Sequence, residues 1–272
     1  MRRTSLVIFV LTLTLMVLAA CGNKTDNTAA STQPAANEQS SLDKIKASGT
    51  LRIGTEGTYA PFTFHDESGK LVGFDVEIAE EVSKRLGVKA EFIETQWDGI
   101  FAGLDANRFD TIFNEVSIRD DRKEKYDFST PYIVSKAVLL VRDDDNEITK
   151  LADLKGKKSA QSLTSNLADI ATANGAEIVG VDGFNQAIDL LMSKRVDATI
   201  NDSLSFLDLK KQKPDVKIKM VDETSDASQS AALFLKGNDE LVQAVNKALA
   251  DMVSDGTYLK ISEKYFGVDV SK

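Results

Sequence analysis

From Thr50 onward the chain alternates short apolar runs with amphipathic stretches, and this rhythm constrains its fold more than any other feature. Residues 51–55 read as a strand, and residues 62–73 as a hairpin turned at 66–69. Asp75 opens a helix in which Val76, Ala79, Val82 and Leu86 share one face, and Gly87 supplies its stop. A strand at 90–93, a helix at 99–106 and a strand at 111–116 continue the pattern. After an apolar stretch at 133–141 and a polar turn at 143–146, a second series begins near residue 149. It comprises strands at 158–161, 177–181, 197–201 and 216–221, with helices at 166–174, 185–193 and 203–210. A strand-like run at 231–235 and a helix at 238–254 follow. Such alternation favours parallel sheets covered by helices, hence an α/β fold. Crossings near Ala137 and Ser230 would separate residues 42–136 plus 231–272 from residues 137–230. Two lobes joined by two strand connectors would then form a hinge and flank a cleft. Open α/β sheets take ligands beyond the carboxyl ends of their strands, so the loops at those ends are where functional residues are sought.

The chain has 272 residues, enough for two such lobes. Its formal charge of −9 disfavours nucleic acid as a partner, because that binding draws its affinity from clustered Lys and Arg. A single cysteine, Cys21, forbids an intrachain disulfide and a Cys-rich metal cage. A single histidine, His65, placed in the hairpin, argues against His-based zinc sites and Ser-His-Asp chemistry. No Gly-rich phosphate loop is present, and the acidic clusters at 120–121 and 143–145 lack the spacing of a Ca²⁺ loop. No metal and no cofactor are expected.

Arg2 and Arg3 precede an apolar run at 6–20 that is too short and poorly flanked for a stable membrane span and reads as a secretory signal, residues 1–20. The run ends Leu18-Ala19-Ala20-Cys21, which resembles the bacterial lipobox. That resemblance makes Cys21 the site of lipid attachment and the mature N-terminus, with the protein exported and held on the extracytoplasmic side of the cell membrane. Cleavage would remove two positive charges and no acid, leaving −11 on the exported part. Residues 21–41 are small and polar without periodicity and read as a lipid-anchored flexible tether.

Five motifs in order then carry a resemblance. They are Glu56-Gly-Thr-Tyr-Ala-Pro-Phe-Thr-Phe, Gly73-Phe-Asp-Val-Glu, Trp97-Asp-Gly, Asn114-Glu-Val-Ser-Ile-Arg-Asp-Asp-Arg and Tyr126-Asp-Phe-Ser-Thr-Pro-Tyr. Together they resemble the polar amino-acid solute-binding proteins of ABC importers, over residues 42–272, and most closely the cystine-binding members. The resemblance implies the two-lobed periplasmic-binding-protein-like fold of type II and an amino-acid ligand, L-cystine first. It also implies delivery to the transmembrane subunits of an ABC permease. Two positions depart from the cystine-binding pattern: Glu115, where an uncharged amide is common, and Arg119, where Ser or Thr is common.

An α-amino acid is a zwitterion and calls for a cation, an anion and a shaped pocket. Arg122 matches the family's carboxylate-gripping arginine, a task suited to a planar bidentate guanidinium; spacing alone equally allows a surface arginine paired with Asp120 or Asp121. Ser117 matches a second donor to the carboxylate, and the carbonyl of Glu115 matches the acceptor for the ammonium. Thr164, Ser165 and Asn166 precede a helix whose first N–H groups suit a ligand carboxylate, or they simply cap it. Asp202 coincides with the ammonium-binding aspartate and can cap the following helix as well. Glu56 adds a second negative group or is solvated. Tyr59 and Trp97 match two aromatic walls around the ligand side chain, although a lone Trp is usually core. The Glu115 side chain is expected to reach the second ammonium of a double-headed ligand such as cystine, or to select a cationic side chain.

Two other classes compete. Cyclohexadienyl-dehydratase-like enzymes share this fold but need a positioned acid or base, and with the carboxylates assigned to ammonium binding none is spare, so no enzymatic activity is expected. The other is a binding protein for another polar or charged amino acid, since pocket volume depends on lobe closure.

Overall fold

The computed structural model describes residues 39–272. The secretory signal, Cys21 and nearly all of the tether lie outside the described residues. None of the described helices is long and apolar enough to cross a membrane.

Two five-stranded mixed sheets organise the chain. In the first, Lys89–Glu94, Thr50–Thr55 and Thr111–Ile112 lie side by side and parallel, with Ile53 paired to both Phe92 and Thr111. Leu233–Leu235 then runs antiparallel between Thr111–Ile112 and Tyr126–Phe128. In the second, Glu177–Gly180, Lys158–Gln161 and Ala198–Asp202 are parallel, and Ala137–Arg142 runs antiparallel between Ala198–Asp202 and Ile218–Glu223. The antiparallel members depart from the all-parallel expectation. Their cause is topological, since Ala137–Arg142 and Leu233–Leu235 enter directly from the segments that join the sheets, with no crossover helix to reverse their direction. Those joining segments, Ile133–Ser135 and Ser228–Ser230, pair antiparallel with each other.

Both faces of each sheet are buried. Along Ala137–Arg142, Val138 and Leu140 enter one apolar cluster with Phe184, Ile188 and Phe206, while Leu139 and Val141 enter another with Ile148, Leu154 and Ile200. This period-two division explains why the sequence there is continuously apolar rather than alternating. In the first lobe, Leu51, Ile53, Phe74, Ile78 and Val82 pack with the helix Asp239–Ser254 through Leu241, Val245, Leu249 and Met252. Gly73 precedes the helix Phe74–Leu86 at φ 139°, and a Cβ there would lie 2.1 Å from the Phe62 carbonyl oxygen, so glycine is required.

Three elements differ from the sequence expectation. The strand placed at 111–116 ends at Ile112, and Glu115 beyond it adopts left-handed backbone, φ 50°. A helix, Ser41–Ser48, capped by the Ser40 side chain, begins at the last residue assigned to the tether. A further helix, Thr257–Phe266, begins directly after Asp255-Gly256, with the Tyr258 hydroxyl donating to the Tyr132 carbonyl at 2.5 Å.

Phe109 seats the strand Thr50–Thr55 against the helix Trp97–Asp105, the two elements that flank the cleft on the first lobe. A Cβ on Gly54 would lie 2.5 Å from the Phe109 ring, and one on Gly103 2.7 Å from it. Gly54→Ala is therefore expected to lower stability by about 1–3 kcal/mol through overpacking, read as a lower urea midpoint at unchanged slope. An unchanged midpoint would show that this seam is not tightly packed.

Candidate functional site

A cavity of about 510 Å³, its open mouth included, is lined by residues just beyond the strand ends of both sheets. Among them are Glu56, Tyr59, Trp97 and Glu115 from the first lobe and Ser165 and Asn166 from the second. Gln161, Ser162, Thr199 and Asn201 add polar groups that the sequence reading missed, and Leu167, Val181 and Phe184 add apolar ones. Ser117, Arg122, Thr164 and Asp202 do not line this cavity.

On the first lobe, Glu56 is 9% exposed and exchanges two bonds with Asn114. Its N–H donates to Asn114 Oδ1 and Asn114 Nδ2 donates to its Oε2, each at 2.7 Å. It is thus buried and held, not solvated. Glu115 follows directly in left-handed backbone, a conformation uncommon for a residue with a Cβ. Its N–H donates to Asp75 Oδ2 at 2.6 Å, and its carboxyl accepts from the Tyr59 and Ser230 hydroxyls, both at 3.2 Å. Its carbonyl oxygen accepts from no described residue. Asp75, read from sequence only as a helix start, is fully buried.

Ser117 lies opposite Ser230 in an antiparallel bridge whose two bonds come from Ile118 N–H and Ala231 N–H. Its own N–H takes no part in them, which is the geometry of a narrow pair. Its carbonyl accepts from Arg122 Nη1 at 3.0 Å. The guanidinium carbon stands 5.4 Å from the Trp97 ring centre and 5.2 Å from that of Phe101. The pairing with Asp120 or Asp121 allowed by spacing does not form. Asp121 pairs with Arg119 at 2.9 Å and Asp120 with Lys123 at 3.4 Å. Among the described residues Arg122 makes no ion pair, although it is only 6% exposed. Trp97 is buried edge-on against Phe101 and opens its helix, so it is at once core and cavity wall. Tyr59 bridges the lobes, packing against apolar clusters of both, its single hydroxyl hydrogen shared between Glu115 Oε2 at 3.2 Å and Asn201 Oδ1 at 3.1 Å.

On the second lobe, Ser165 caps the helix Asn166–Ala173 by accepting from Ala168 N–H at 3.1 Å, while its own N–H donates to the Ser162 carbonyl. Thr164 turns away from the cavity, and its N–H and hydroxyl both donate to Asp98 Oδ1 of the first lobe, at 3.0 and 2.8 Å. Asn166 and Leu167, the next residues, line the cavity, and N–H groups at this point of a helix have no intrahelical acceptor. Asp202 caps the helix Ser203–Gln212 through Leu204 N–H at 2.8 Å and accepts from the Ser135 hydroxyl.

The site gathers buried carboxyls without basic partners. Burial pushes Glu56 and Asp75 up to about 7, their hydrogen bonds only partly offsetting it. Asp202 is raised to about 6 by burial. Burial and then the charges of Asp202 and Asp75 hold Glu115 well above the usual carboxylate range. Burial, and secondarily Arg119, lowers Arg122 to about 10, so it stays charged at neutral pH.

Raised carboxyls bind protons more tightly in the folded chain than in the unfolded one, whose carboxyls titrate near 4. Their stabilising contribution is present below about pH 4 and is lost as pH rises towards about 7, where Asp75 and Glu56 ionise. The ligand-free protein is expected to show a urea midpoint falling over this interval. Asp75→Asn, which keeps an oxygen for Glu115 N–H, should flatten the fall, whereas an identical slope in the variant would mean that Asp75 does not titrate there.

Comparison with known proteins places this geometry in a family. Residues 51–268 match the bacterial extracellular solute-binding proteins, family 3. The L-cystine-binding protein TcyA of Bacillus subtilis (strain 168) is 46% identical over the full length of both chains. An ancestral arginine-binding protein bound to arginine superposes with TM-score 0.76 at 41% identity, covering 80% of this chain and 98% of that one. The L-cystine solute receptor of Neisseria gonorrhoeae, in its unliganded open conformation, gives TM-score 0.58 at 46% identity, covering 85% and 99%. Two lobes with cavity-lining strand ends, the unpaired Arg122 and the match over residues 51–268 lead to one conclusion: the chain belongs to the bacterial extracellular solute-binding proteins, family 3.

Proposed function

We propose that the chain is the extracytoplasmic substrate-binding component of an ABC importer, taking L-cystine into the cleft between its lobes and delivering it to the membrane permease without chemical change. The observation that carries this reading is a buried guanidinium, Arg122, with no anionic partner among the described residues, in a site where the carboxyls of Glu115 and Asp202 have no basic partner. Each charge is costly to bury alone, and a zwitterion is the ligand that satisfies both kinds at once. Ser117, Arg122 and Asp202 lie outside the cavity, so binding through them requires the cavity to open onto them; the ligand carboxylate would then lie on Arg122 and the Ser117 N–H. The α-ammonium would lie on Asp202 and the Glu115 carbonyl, with Tyr59 and Trp97 against the side chain. Thr164 leaves this set, because its donors are already taken by Asp98.

Similarity to a cystine-binding relative over the whole chain favours cystine over other amino acids. The chemistry of the site agrees, since burial disfavours the charged form of Glu115 and a second ammonium beside it would favour that form. Sulfur also packs favourably beside aromatic rings such as Tyr59 and Trp97. Export through residues 1–20 and lipid anchoring at Cys21 would hold the protein next to its permease.

Titration calorimetry with L-cystine tests the reading. Arg122→Ala is expected to weaken binding about 100-fold, within the 2–5 kcal/mol that follows truncation of one partner in a buried charge pair. Glu115→Gln is expected to weaken cystine about tenfold through loss of one charged contact. Wild-type affinity in Arg122→Ala would contradict the assignment, and wild-type affinity in Glu115→Gln would remove that side chain from the second ammonium.

A further inference from the structure

The two lobes touch at both rims of the cleft. At one rim the Tyr59 hydroxyl meets Asn201, Ser205 Oγ donates to the Ala60 carbonyl at 3.0 Å, and Asn185 Nδ2 reaches the Thr58 carbonyl at 3.5 Å. At the other, everything converges on the start of the helix Asn166–Ala173. Asp98, exposed in the first turn of Trp97–Asp105, accepts from three donors of the opposite lobe. These are Leu163 N–H at 3.3 Å, Thr164 N–H at 3.0 Å and Thr164 Oγ1 at 2.8 Å. Arg119 on the first lobe reaches Asp169 in the first turn of the same helix at 2.6 Å. The two contacts differ in kind. Arg119, also paired with Asp121, and the exposed Asp169 form a solvent-accessible ion pair, a type that contributes little and weakens with salt. Asp98 instead binds two consecutive backbone N–H groups and a hydroxyl with one carboxylate, a more extensive contact than a single ion pair.

We propose that Asp98 is a positioning residue of the cleft. Its carboxylate latches the Leu163–Thr164 backbone of the second lobe, holds the lobes closed and orients the first turn of the Asn166–Ala173 helix towards the cavity. The latch explains why Thr164 is turned from the cavity while Asn166 and Leu167 line it. Asp98 takes the two amides before the cap and Ser165 takes the cap itself, which leaves the next two amides, at Asn166 and Leu167, without an acceptor in residues that line the cavity. Because these bonds cross between lobes, they exist only in the closed arrangement and stabilise it whether or not the cleft is filled. A ligand whose binding needs the closed state gains apparent affinity in proportion to the closed fraction. The gain falls mainly on dissociation, since release requires the latch to open.

The proposal rests on the reading that the interlobe cleft is the ligand site, and two measurements on the full chain separate the two ideas. The first is amide hydrogen exchange of the segment containing Leu163 and Thr164 in ligand-free protein, wild type against Asp98→Ala. Asp98 is exposed, so the variant removes the latch without opening a core. About tenfold faster exchange in the variant, confined to this segment, is expected from the loss of one charge-assisted contact; equal rates in the two proteins overturn the latch. The second is L-cystine release by stopped flow. Release is expected about tenfold faster in Asp98→Ala with little change in association, and less affected in Asp98→Asn, which keeps an acceptor oxygen but not the charge. Unchanged release in Asp98→Ala also overturns the latch. If wild-type protein takes up no cystine, the cystine reading fails, while the exchange measurement still decides the latch.

Discussion

The structure turns on ionisable groups taken out of water without partners of opposite charge. Moving an ion into a protein interior costs several kcal/mol unless a counter-charge and hydrogen bonds compensate. Arg122 receives only a carbonyl and two aromatic rings, and Glu115 receives two hydroxyls. Burial eases the cost on the acidic side by favouring the protonated forms, raising Glu115 well above the usual carboxylate range and Asp75 to about 7. It cannot do so on the basic side, since Arg122 stays charged at neutral pH even when lowered to about 10. In the proposed function the ligand completes both sides, its carboxylate answering Arg122 and its ammonium groups taking the place of protons.

Everything else in the first lobe keeps these groups where they are. Asn114 clasps Glu56, Asp75 anchors the left-handed turn at Glu115, and the Ser117–Ser230 bridge ties the Arg122 loop to the segment that joins the lobes. The Ser228–Ser230 strand pairs with Ile133–Ser135, and Ser135 in turn donates to Asp202. Groups from both lobes are therefore linked through the connectors, so that a change in lobe arrangement is felt at the site itself.

The sequence made the sheets and most helices legible because their physics is local. Residues 137–141 are a strand buried on both faces, and Val76, Ala79 and Val82 form a helix face, as the apolar run and the helical spacing suggest. The Ser41–Ser48 helix escaped notice because Ile45 is its sole buried residue, too little for a periodic signal. The Glu115 turn escaped because left-handed backbone is usually announced by Gly or Asn, and here Asp75, forty residues earlier, imposes it. Asp75 resembled an ordinary acidic residue at a helix start, and only its complete burial distinguishes it. The role of Asp98 depends on how one lobe meets the other, which no periodicity encodes.

The central claim, that a zwitterion completes the unpaired charges, is tested most directly by a crystal structure of the chain grown with L-cystine. The account predicts density for the ligand between the lobes, extending from the cavity to residues that do not line it in the free chain, with one carboxylate bidentate on Arg122, an α-ammonium on Asp202 and the second ammonium within hydrogen-bond reach of Glu115. Cystine bound elsewhere, or in the cavity with Arg122 still lacking an anionic partner, would contradict it.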